Sequence, residues 1–344
     1  MMTSRELVRN TLEFKNTTGA TPRDLWTLPW AYHNYSREIE AILQDYPPDI
    51  VQIPDSYKIY ARKLIAKGNV YEKGEANDEW GVTFKNLQRG LHGEVKAPII
   101  NKDDDDWEDI SRVHFPEELL TIDTAKVNEF CASTDRFVLS SDLVRPFERI
   151  QFLRGTEMLF CDLAQENPAM LKMLKRIHEF YCALMELWCK NTAIDGFFAM
   201  DDWGSQKSLL INPVTWVKYF KPMYRDYVNI AHKYGKKFFF HSDGFTLDII
   251  PHFIDLGFDA VNLQIFCIGI DNIKQFRGRI TFWGEMDRQH LLPRGTPDEI
   301  DVAVKQVHSA IWAKGGAIAQ CEFGAGANPV NVRQLYKSWE DIHG

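Results

Sequence analysis

The feature that most constrains this chain is a succession of short apolar runs separated by helical segments, which begins near residue 116. The runs include FVL at 137–139, FFAM at 197–200, FFF at 238–240 and ITFW at 280–283. Such continuously apolar runs are typical of strands buried on both faces, as in a parallel sheet covered by helices. The segments between them carry helix signals, such as Asn212 and Pro213 at the start of a helix predicted over 213–234.

About eight strand–helix units fit into the 344 residues, which favours a (β/α)8 barrel of the TIM type over an open doubly wound sheet. A dinucleotide-binding sheet has no support, because no G-x-G-x-x-G motif follows any of the runs. We therefore predict a single barrel domain over 1–344, with regular strand–helix repeats over 116–344. The N-terminal part, 1–115, is predicted to add helical segments, irregular loops and a β-hairpin over 72–95.

The composition argues against several classes of partner. The formal net charge is −8, which disfavours binding to a nucleic-acid backbone. No apolar run approaches the roughly 20 residues that a bilayer requires, so no membrane association is expected. The six cysteines include no C-x-x-C pair, and the N-terminal residues lack the apolar core of a signal peptide. We expect a reduced, cytoplasmic protein.

The apolar runs end in polar residues that can bind a metal or exchange a proton. Because the carboxyl ends of barrel strands converge on one mouth, these residues are expected to share a site there. They are Asp142, Asp201, Asp202, His241, Asp243, Asn262, Gln264, Glu285, Asp287, Cys321 and Glu322. Two alternatives stay open, since an acidic residue after a strand is often a helix cap and a strand cysteine is often a core residue.

The chemistry of these strand ends points to a metal. His241 and Asp243 are two residues apart, so on an extended chain their side chains face the same way. A strand-end histidine together with Cys321 forms a borderline-soft donor pair that suits Zn²⁺. Asp243 or Glu285 would then supply an oxygen ligand.

Several segments resemble the uroporphyrinogen decarboxylase superfamily over nearly the whole chain. They are TSRELVRNTLEFKN at the start, MDDWGSQKSLLINPVTWVKYFKPMYRDYV from 200, GKKFFFHSDG from 235, ITFWGEMDRQHLLPRGTPDEI from 280 and GGAIAQCEFGAGANPVNV from 315. The resemblance implies a distorted (β/α)8 barrel, in agreement with the strand–helix pattern. It also implies one of two activities, which belong to the two main branches of the superfamily.

The decarboxylase branch uses no cofactor and grips a polycarboxylate with an arginine-rich N-terminal segment. The corresponding stretch here is LWTLPWAYHNY at 25–35, which contains no arginine. Arginine forks are the expected partners of carboxylates, so a cofactor-free decarboxylase of this type is kept only as the alternative. The decarboxylase branch forms dimers, which makes a homodimer an expectation by analogy.

The other branch consists of zinc- and cobamide-dependent methyltransferases. In its thiol-using members a His-x-Cys motif and a later cysteine bind the metal. His241 matches the histidine, Asp243 stands where the first cysteine would be, and Cys321 lies close to the second. A carboxylate in place of a thiolate makes the bound metal harder and more Lewis-acidic.

The resemblance and the strand ends together predict a corrinoid-protein-dependent methyltransferase that demethylates a small methyl donor, either an aryl methyl ether or a methylated amine. Zinc and a cobamide carried by a corrinoid protein are the expected cofactors. The expected metal ligands are His241, Cys321 and Glu285, and the expected catalytic carboxylates are Asp201, Asp202 and Asp243. The expected substrate-binding side chains are Gln206, Gln264 and an aromatic lining of Trp26, Trp30, Tyr32 and Trp203.

Overall fold

The computed structural model describes residues 2–54, 57, 65–100, 112–141 and 144–342. Asp142, one of the predicted strand-end residues, lies outside this part of the chain. Eleven strands occur in the described residues: β1 Arg23–Thr27, β2 Ile50–Gln52, β3 Gly74–Asn77, β4 Thr83–Asn86, β5 Glu94–Ala97, β6 Phe137–Leu139, β7 Gly196–Met200, β8 Lys237–Ser242, β9 Ala260–Leu263, β10 Thr281–Trp283 and β11 Ala317–Phe323.

Eight of these strands form a parallel sheet in the order β1-β11-β10-β9-β8-β7-β6-β2. The two edge strands approach each other, where the amide nitrogen of Asp49 donates to the carbonyl of Arg23 over 2.7 Å. The Asp49 carboxylate also accepts a hydrogen bond from the Arg23 amide nitrogen at 2.8 Å. The sheet is therefore a nearly closed barrel, which confirms the predicted TIM-type fold.

Helices surround the barrel. The α-helices of the described residues are α1 Ser4–Leu12, α2 Pro29–Asp45, α3 Thr124–Ser133, α4 Pro146–Arg154, α5 Thr156–Ala164, α6 Pro168–Asn191, α7 Pro213–Tyr219, α8 Lys221–Lys233, α9 Ile250–Leu256, α10 Ile265–Ile268, α11 Ile270–Ile273, α12 Leu291–Arg294, α13 Pro297–Ile311 and α14 Pro329–Asp341. Among these helices, none is long and apolar enough to cross a bilayer.

The helix predicted over 213–234 begins as expected but is divided in two. The Asn212 side chain accepts a hydrogen bond from the Val214 amide nitrogen at 2.8 Å, which confirms it as the cap. The division between α7 and α8 falls at Phe220, immediately before Lys221 and Pro222. Proline has no amide hydrogen and clashes with the preceding turn, so a continuous helix is broken here.

Two hydrophobic clusters lie on the two sides of the barrel wall. The inner cluster fills the barrel, and its members are Val8, Leu12, Ile50, Phe137, Leu139, Phe198, Phe239, Ala260, Trp283 and Ile318. The outer cluster packs the opposite faces of the strands against the helices, and it includes Phe238 and Phe240 of β8. Because strand side chains alternate, β8 directs Phe239 and His241 inward. On β11, Ile318, Gln320 and Glu322 face inward, whereas Ala319 and Cys321 face the helices.

The three strands β3, β4 and β5 form a separate antiparallel sheet within the N-terminal part. This sheet contacts the rest of the protein through Arg149 of α4, which forms an ion pair with Asp78 at 2.5 Å and lies 4.8 Å from the centre of the Trp80 ring. Gly90 approaches α2 so closely that a Cβ atom there would lie 2.5 Å from the Cα atom of Trp30. These contacts fix the small sheet beside the start of α2.

Candidate active site at the carboxyl ends of the strands

The orientation of the His241 ring is fixed by Asn262 on the neighbouring strand β9. The Oδ1 atom of Asn262 lies 2.7 Å from Nδ1 of His241. The Asn262 side-chain nitrogen donates to the backbone carbonyl of Trp283 and, at 2.9 Å, to Oε1 of Gln320. A carbonyl can only accept, so Oδ1 of Asn262 must be the acceptor for the Nδ1 hydrogen of His241. The other ring nitrogen, Nε2, is left to face the mouth of the barrel.

Two carboxylates meet this Nε2 atom. Oδ1 of Asp202, beyond the end of β7, lies 3.6 Å from it, and Oδ1 of Asp243, beyond the end of β8, lies 3.4 Å from it. Asp202 also accepts a hydrogen bond from the Asp243 amide nitrogen at 2.9 Å, which ties the two strand ends together. One ligand atom from each of Asp202, His241 and Asp243 lies within 4.8 Å of the others, so the three residues form a possible metal-binding triad.

The charges of the three triad side chains shift one another's pKa values. Burial lowers the pKa of His241, but the hydrogen bond and charge of Asp243 and the charge of Asp202 outweigh burial and raise it to about 10. Burial raises the pKa of Asp243, but His241 and Arg288 outweigh burial and hold it well below its usual range. Burial raises the pKa of Asp202. A proton or a divalent cation can therefore sit between the imidazole and the two carboxylates.

Arg288 is a site residue that the sequence analysis missed. It lies beyond the end of β10, and its guanidinium donates to Oδ2 of Asp243. It also lies 3.2 Å from Oε2 of Glu322 and 3.5 Å from Oε1 of Glu285. The sequence feature that could have identified Arg288 is its position in GEMDRQ, the strand-end segment that also contains Glu285 and Asp287.

A cavity of about 100 Å³ opens beside the triad. Its lining residues are Gln206, Gln264, Phe266, Cys267, Glu285, Met286, Asp287, Arg288, Gln289 and His290. Gln264 donates from Nε2 to Oδ1 of Asp243 at 2.8 Å, so this predicted substrate-binding residue also orients the triad. The predicted residue Gln206 lies in the exposed part of the lining.

Glu285 lies in the cavity wall but outside the triad. Its carboxyl faces Arg288, and burial, opposed by the charge of Arg288, raises its pKa to about 8. The structure therefore places this predicted metal ligand against a guanidinium. Asp287 accepts hydrogen bonds from the amide nitrogens of Gln289 and His290, both at 2.8 Å, and so stabilises its own loop.

The structure corrects the assignment of Cys321 as a partner of His241. Cys321 belongs to the outer hydrophobic cluster, and its Sγ atom lies 3.8 Å from Oη of Tyr336 in α14. Burial raises the pKa of its thiol to about 12. His241 faces the interior of the barrel, so the two side chains lie on opposite sides of the wall. The predicted His241–Cys321 metal pair is therefore not formed.

Asp201, predicted as a catalytic carboxylate, also faces the helices. Its Oδ1 atom accepts from the amide nitrogen of Glu148 at 2.8 Å, and its Oδ2 atom accepts from the amide nitrogen of Phe147 at 3.0 Å. The hydroxyl of Tyr224 donates to the same Oδ2 atom at 2.6 Å. Asp201 thus caps the first turn of α4, while the adjacent residue Asp202 faces the site.

The predicted aromatic lining is divided between core, surface and site. Trp203 is fully buried, stacks on Phe147 at 4.2 Å and donates from Nε1 to the Tyr224 hydroxyl, so it is a core residue. On α2, Trp30 packs against Tyr35 at 5.9 Å, and Tyr32 is 47% exposed. Trp26 on β1 is the one that the structure brings to His241, with ring centres 5.3 Å apart.

Below the histidine, Asp24 on β1 holds two tryptophans in place. Its Oδ2 atom accepts from Nε1 of Trp26 and from Nε1 of Trp283, both at 3.0 Å. Burial raises the pKa of Asp24 to about 7, although the two indole donors oppose this change. These residues form the floor of the site.

Glu148, in the first turn of α4, is a second residue that the sequence analysis missed. Burial and the nearby charge of Asp202 raise its pKa to about 7. Its Oε2 atom is buried and has no hydrogen-bond partner among the described residues. Its sequence context, PFERI, gave no strand-end signal.

No protein-family model matches the chain, and no curated protein sequence matches it. Among solved structures, a methyltransferase from Methanosarcina mazei aligns over 100% of both chains, with a TM-score of 0.68 and 13% sequence identity. A dihydropteroate synthase from Xanthomonas albilineans aligns over 48% of this chain and 58% of that chain, with a TM-score of 0.30 and 10% identity. The first similarity, at this identity, establishes the shared barrel fold, and the second carries no argument.

Proposed function

We propose that this barrel is a methyltransferase that demethylates a small methyl donor and passes the methyl group to a cobamide carried by a separate corrinoid protein. The observation that carries the proposal is the convergence of His241 Nε2 with one oxygen each of Asp202 and Asp243 beside an open cavity. The full-length fold similarity to a protein named as a methyltransferase supports it.

The donor set of the triad fits a divalent metal. One imidazole nitrogen and two carboxylate oxygens are ligands that Zn²⁺ accepts, and three protein ligands leave a coordination position for substrate. The hydrogen bond from Nδ1 of His241 to Asn262 is the outer contact that orients a metal-binding imidazole. Bound here, zinc would act as a Lewis acid on the heteroatom of the methyl donor.

Residues of the chain would bind and orient the methyl donor. Demethylation breaks the bond between the methyl carbon and an oxygen or nitrogen, and the electron pair stays on that heteroatom while the acceptor takes the methyl group. A donor heteroatom that faces the triad would lie beside Gln264, whose side chain is already held by Asp243. The ring of Trp26, which packs against His241, gives the floor of the site an apolar surface that suits an aryl methyl ether or the methyl groups of an amine.

The size of the cavity indicates where the methyl acceptor, a cobamide, would bind. About 100 Å³ holds a small group but not a corrin ring, which is far larger than the methyl donor. The cobamide would therefore stay on its own protein and approach the mouth of the barrel. A corrinoid protein is therefore the proposed partner.

The alternative, decarboxylation of a polycarboxylate, has less support from the site. Among the residues that line the cavity, Arg288 is the arginine available to a carboxylate, and three carboxylates of the protein already surround it. A substrate with many negative charges would also meet Asp202, Asp243 and Glu322. The charge of the site favours a neutral or cationic donor.

The test combines metal analysis with a transfer assay. The purified protein, loaded with zinc, is mixed with reduced cobalamin as a surrogate acceptor and with a panel of methoxyaromatics and methylamines, and methylcobalamin is measured by absorbance. We expect about one zinc per chain and methyl transfer from one donor class, with both lost in His241→Ala and retained in Cys321→Ala. A protein that binds no zinc and transfers no methyl group from any donor would overturn the proposal.

A further inference from the structure

Arg288 places a guanidinium among three carboxylates of the site, and the proposed transfer chemistry does not use it. Its Nη2 atom donates to Oδ2 of Asp243, and its Nη1 atom lies 3.2 Å from Glu322 and 3.5 Å from Glu285. Its side chain is 24% exposed, so these contacts are shielded from bulk water. The carboxylates come from three different strand ends, and Arg288 joins them into one network.

The two oxygens of Asp243 have different partners in this network. Oδ2 is taken by Arg288, whereas Oδ1 accepts from Gln264 and faces Nε2 of His241 at 3.4 Å. A carboxylate held at both oxygens has one orientation. In that orientation, Oδ1 is the atom of Asp243 that can serve the triad, so it would bind a cation through a single oxygen.

The geometry of arginine suits this task in a way that lysine does not. The planar guanidinium presents its donors in a fixed fork, and here two of its nitrogens reach three carboxylates. A lysine ammonium is a compact point charge on a flexible stem, so it would keep the charge without fixing the angle between the acceptors. The exchange Arg288→Lys therefore keeps the positive charge and removes the fixed orientation of the acceptors.

We infer that Arg288 is a positioning residue that sets the metal affinity of the Asp202–His241–Asp243 triad by fixing Asp243. This inference rests on the metal site of the proposed function. A nearby positive charge by itself would weaken the binding of a cation. Replacing Arg288 by methionine removes that repulsion, so a fall in zinc affinity in this variant reports the lost orientation of Asp243 and not the lost charge.

The experiment is a zinc titration of the full chain against a chromophoric chelator, after the metal has been stripped. Wild type is compared with Arg288→Lys and Arg288→Met, and Arg294→Met, an exposed arginine six residues away, serves as the matched control. We expect zinc affinity to fall about 10-fold or more in both Arg288 variants and to stay unchanged in the control. Thermal unfolding by circular dichroism verifies that all four proteins are folded.

A double-mutant cycle tests whether Arg288 acts through Asp243. In an Asp243→Asn background, Arg288→Met should lower zinc affinity by much less than it does in the wild type. Wild-type affinity in Arg288→Lys, unchanged or increased affinity in Arg288→Met, or a fully additive cycle would overturn the inference while leaving the proposed function intact. A wild-type protein that binds no zinc would overturn both.

Discussion

Asn262 accepts a hydrogen bond from the imidazole of His241 over 2.7 Å, deep in the interior of the barrel. Asn262 is itself fixed by hydrogen bonds to the Trp283 carbonyl and to Gln320, so it transmits the position of strands β10 and β11 to the ring on β8. The direction of Nε2 is therefore a property of the whole barrel wall and not of the β8 strand alone.

The first prediction concerns Asn262→Leu, which keeps the branched shape of the side chain and removes its hydrogen bonds. Zinc affinity should fall about 10- to 100-fold, because the ring loses the contact that orients it. Unfolding free energy should fall by about 1–3 kcal/mol, because buried polar partners are left unsatisfied. The matched control is Asn331→Leu, since Asn331 is buried at the start of α14 and its side chain donates to backbone carbonyls of the α12 region. It should lose stability without losing zinc, and equal zinc affinity in both variants would contradict the prediction.

The second prediction compares the neighbours Asp201 and Asp202. Asp201→Ala should lower the unfolding free energy by about 2 kcal/mol, because two amide groups of α4 and the Tyr224 hydroxyl lose their acceptor. Asp202→Ala should cost less stability but abolish stoichiometric zinc binding. Urea unfolding and metal analysis of both variants check this division. The reverse pattern would show that the two carboxylates have been assigned the wrong way round.

The third prediction is that Cys321→Ala keeps its zinc. The thiol packs against Tyr336 on the helix side of β11, so its removal should lower the unfolding free energy by about 1 kcal/mol and leave the metal content unchanged. Elemental analysis of this variant beside His241→Ala is the measurement. Loss of zinc from the cysteine variant would mean that the thiol reaches the triad after all.

The fourth prediction concerns pH and Asp24. Its pKa is raised from 3.8 to about 7 in the folded protein, so between these values the folded state holds a proton that the unfolded state has released. Stability is therefore lost as the pH rises from about 4 to about 7. Asp24→Asn cannot ionise, yet it keeps an oxygen for the indole donors of Trp26 and Trp283. The difference in unfolding free energy between variant and wild type should therefore increase by a few kcal/mol in favour of the variant from pH 4 to pH 8. Urea unfolding at the two pH values measures it, and a pH-independent difference would argue against the prediction.

The sequence by itself determined the barrel and the region of the site. Continuous apolar runs between helical segments can be buried on both faces only in a covered parallel sheet, and the polar residues at their ends then meet at one mouth. The spacing of His241 and Asp243 also correctly placed both side chains on one side of β8.

Only the tertiary structure decided which strand-end residues face inward. Successive side chains of an extended chain point to opposite faces. The sequence therefore shows that Asp201 and Asp202 point apart, but not which of them enters the site. The packing of α4 and α14 against the wall selects the outward residues, and this turned Asp201 to the α4 amides and Cys321 to Tyr336. Arg288 joined the site because the fold brings the segment beyond β10 against Asp243 and Glu322, which are distant from it in the sequence.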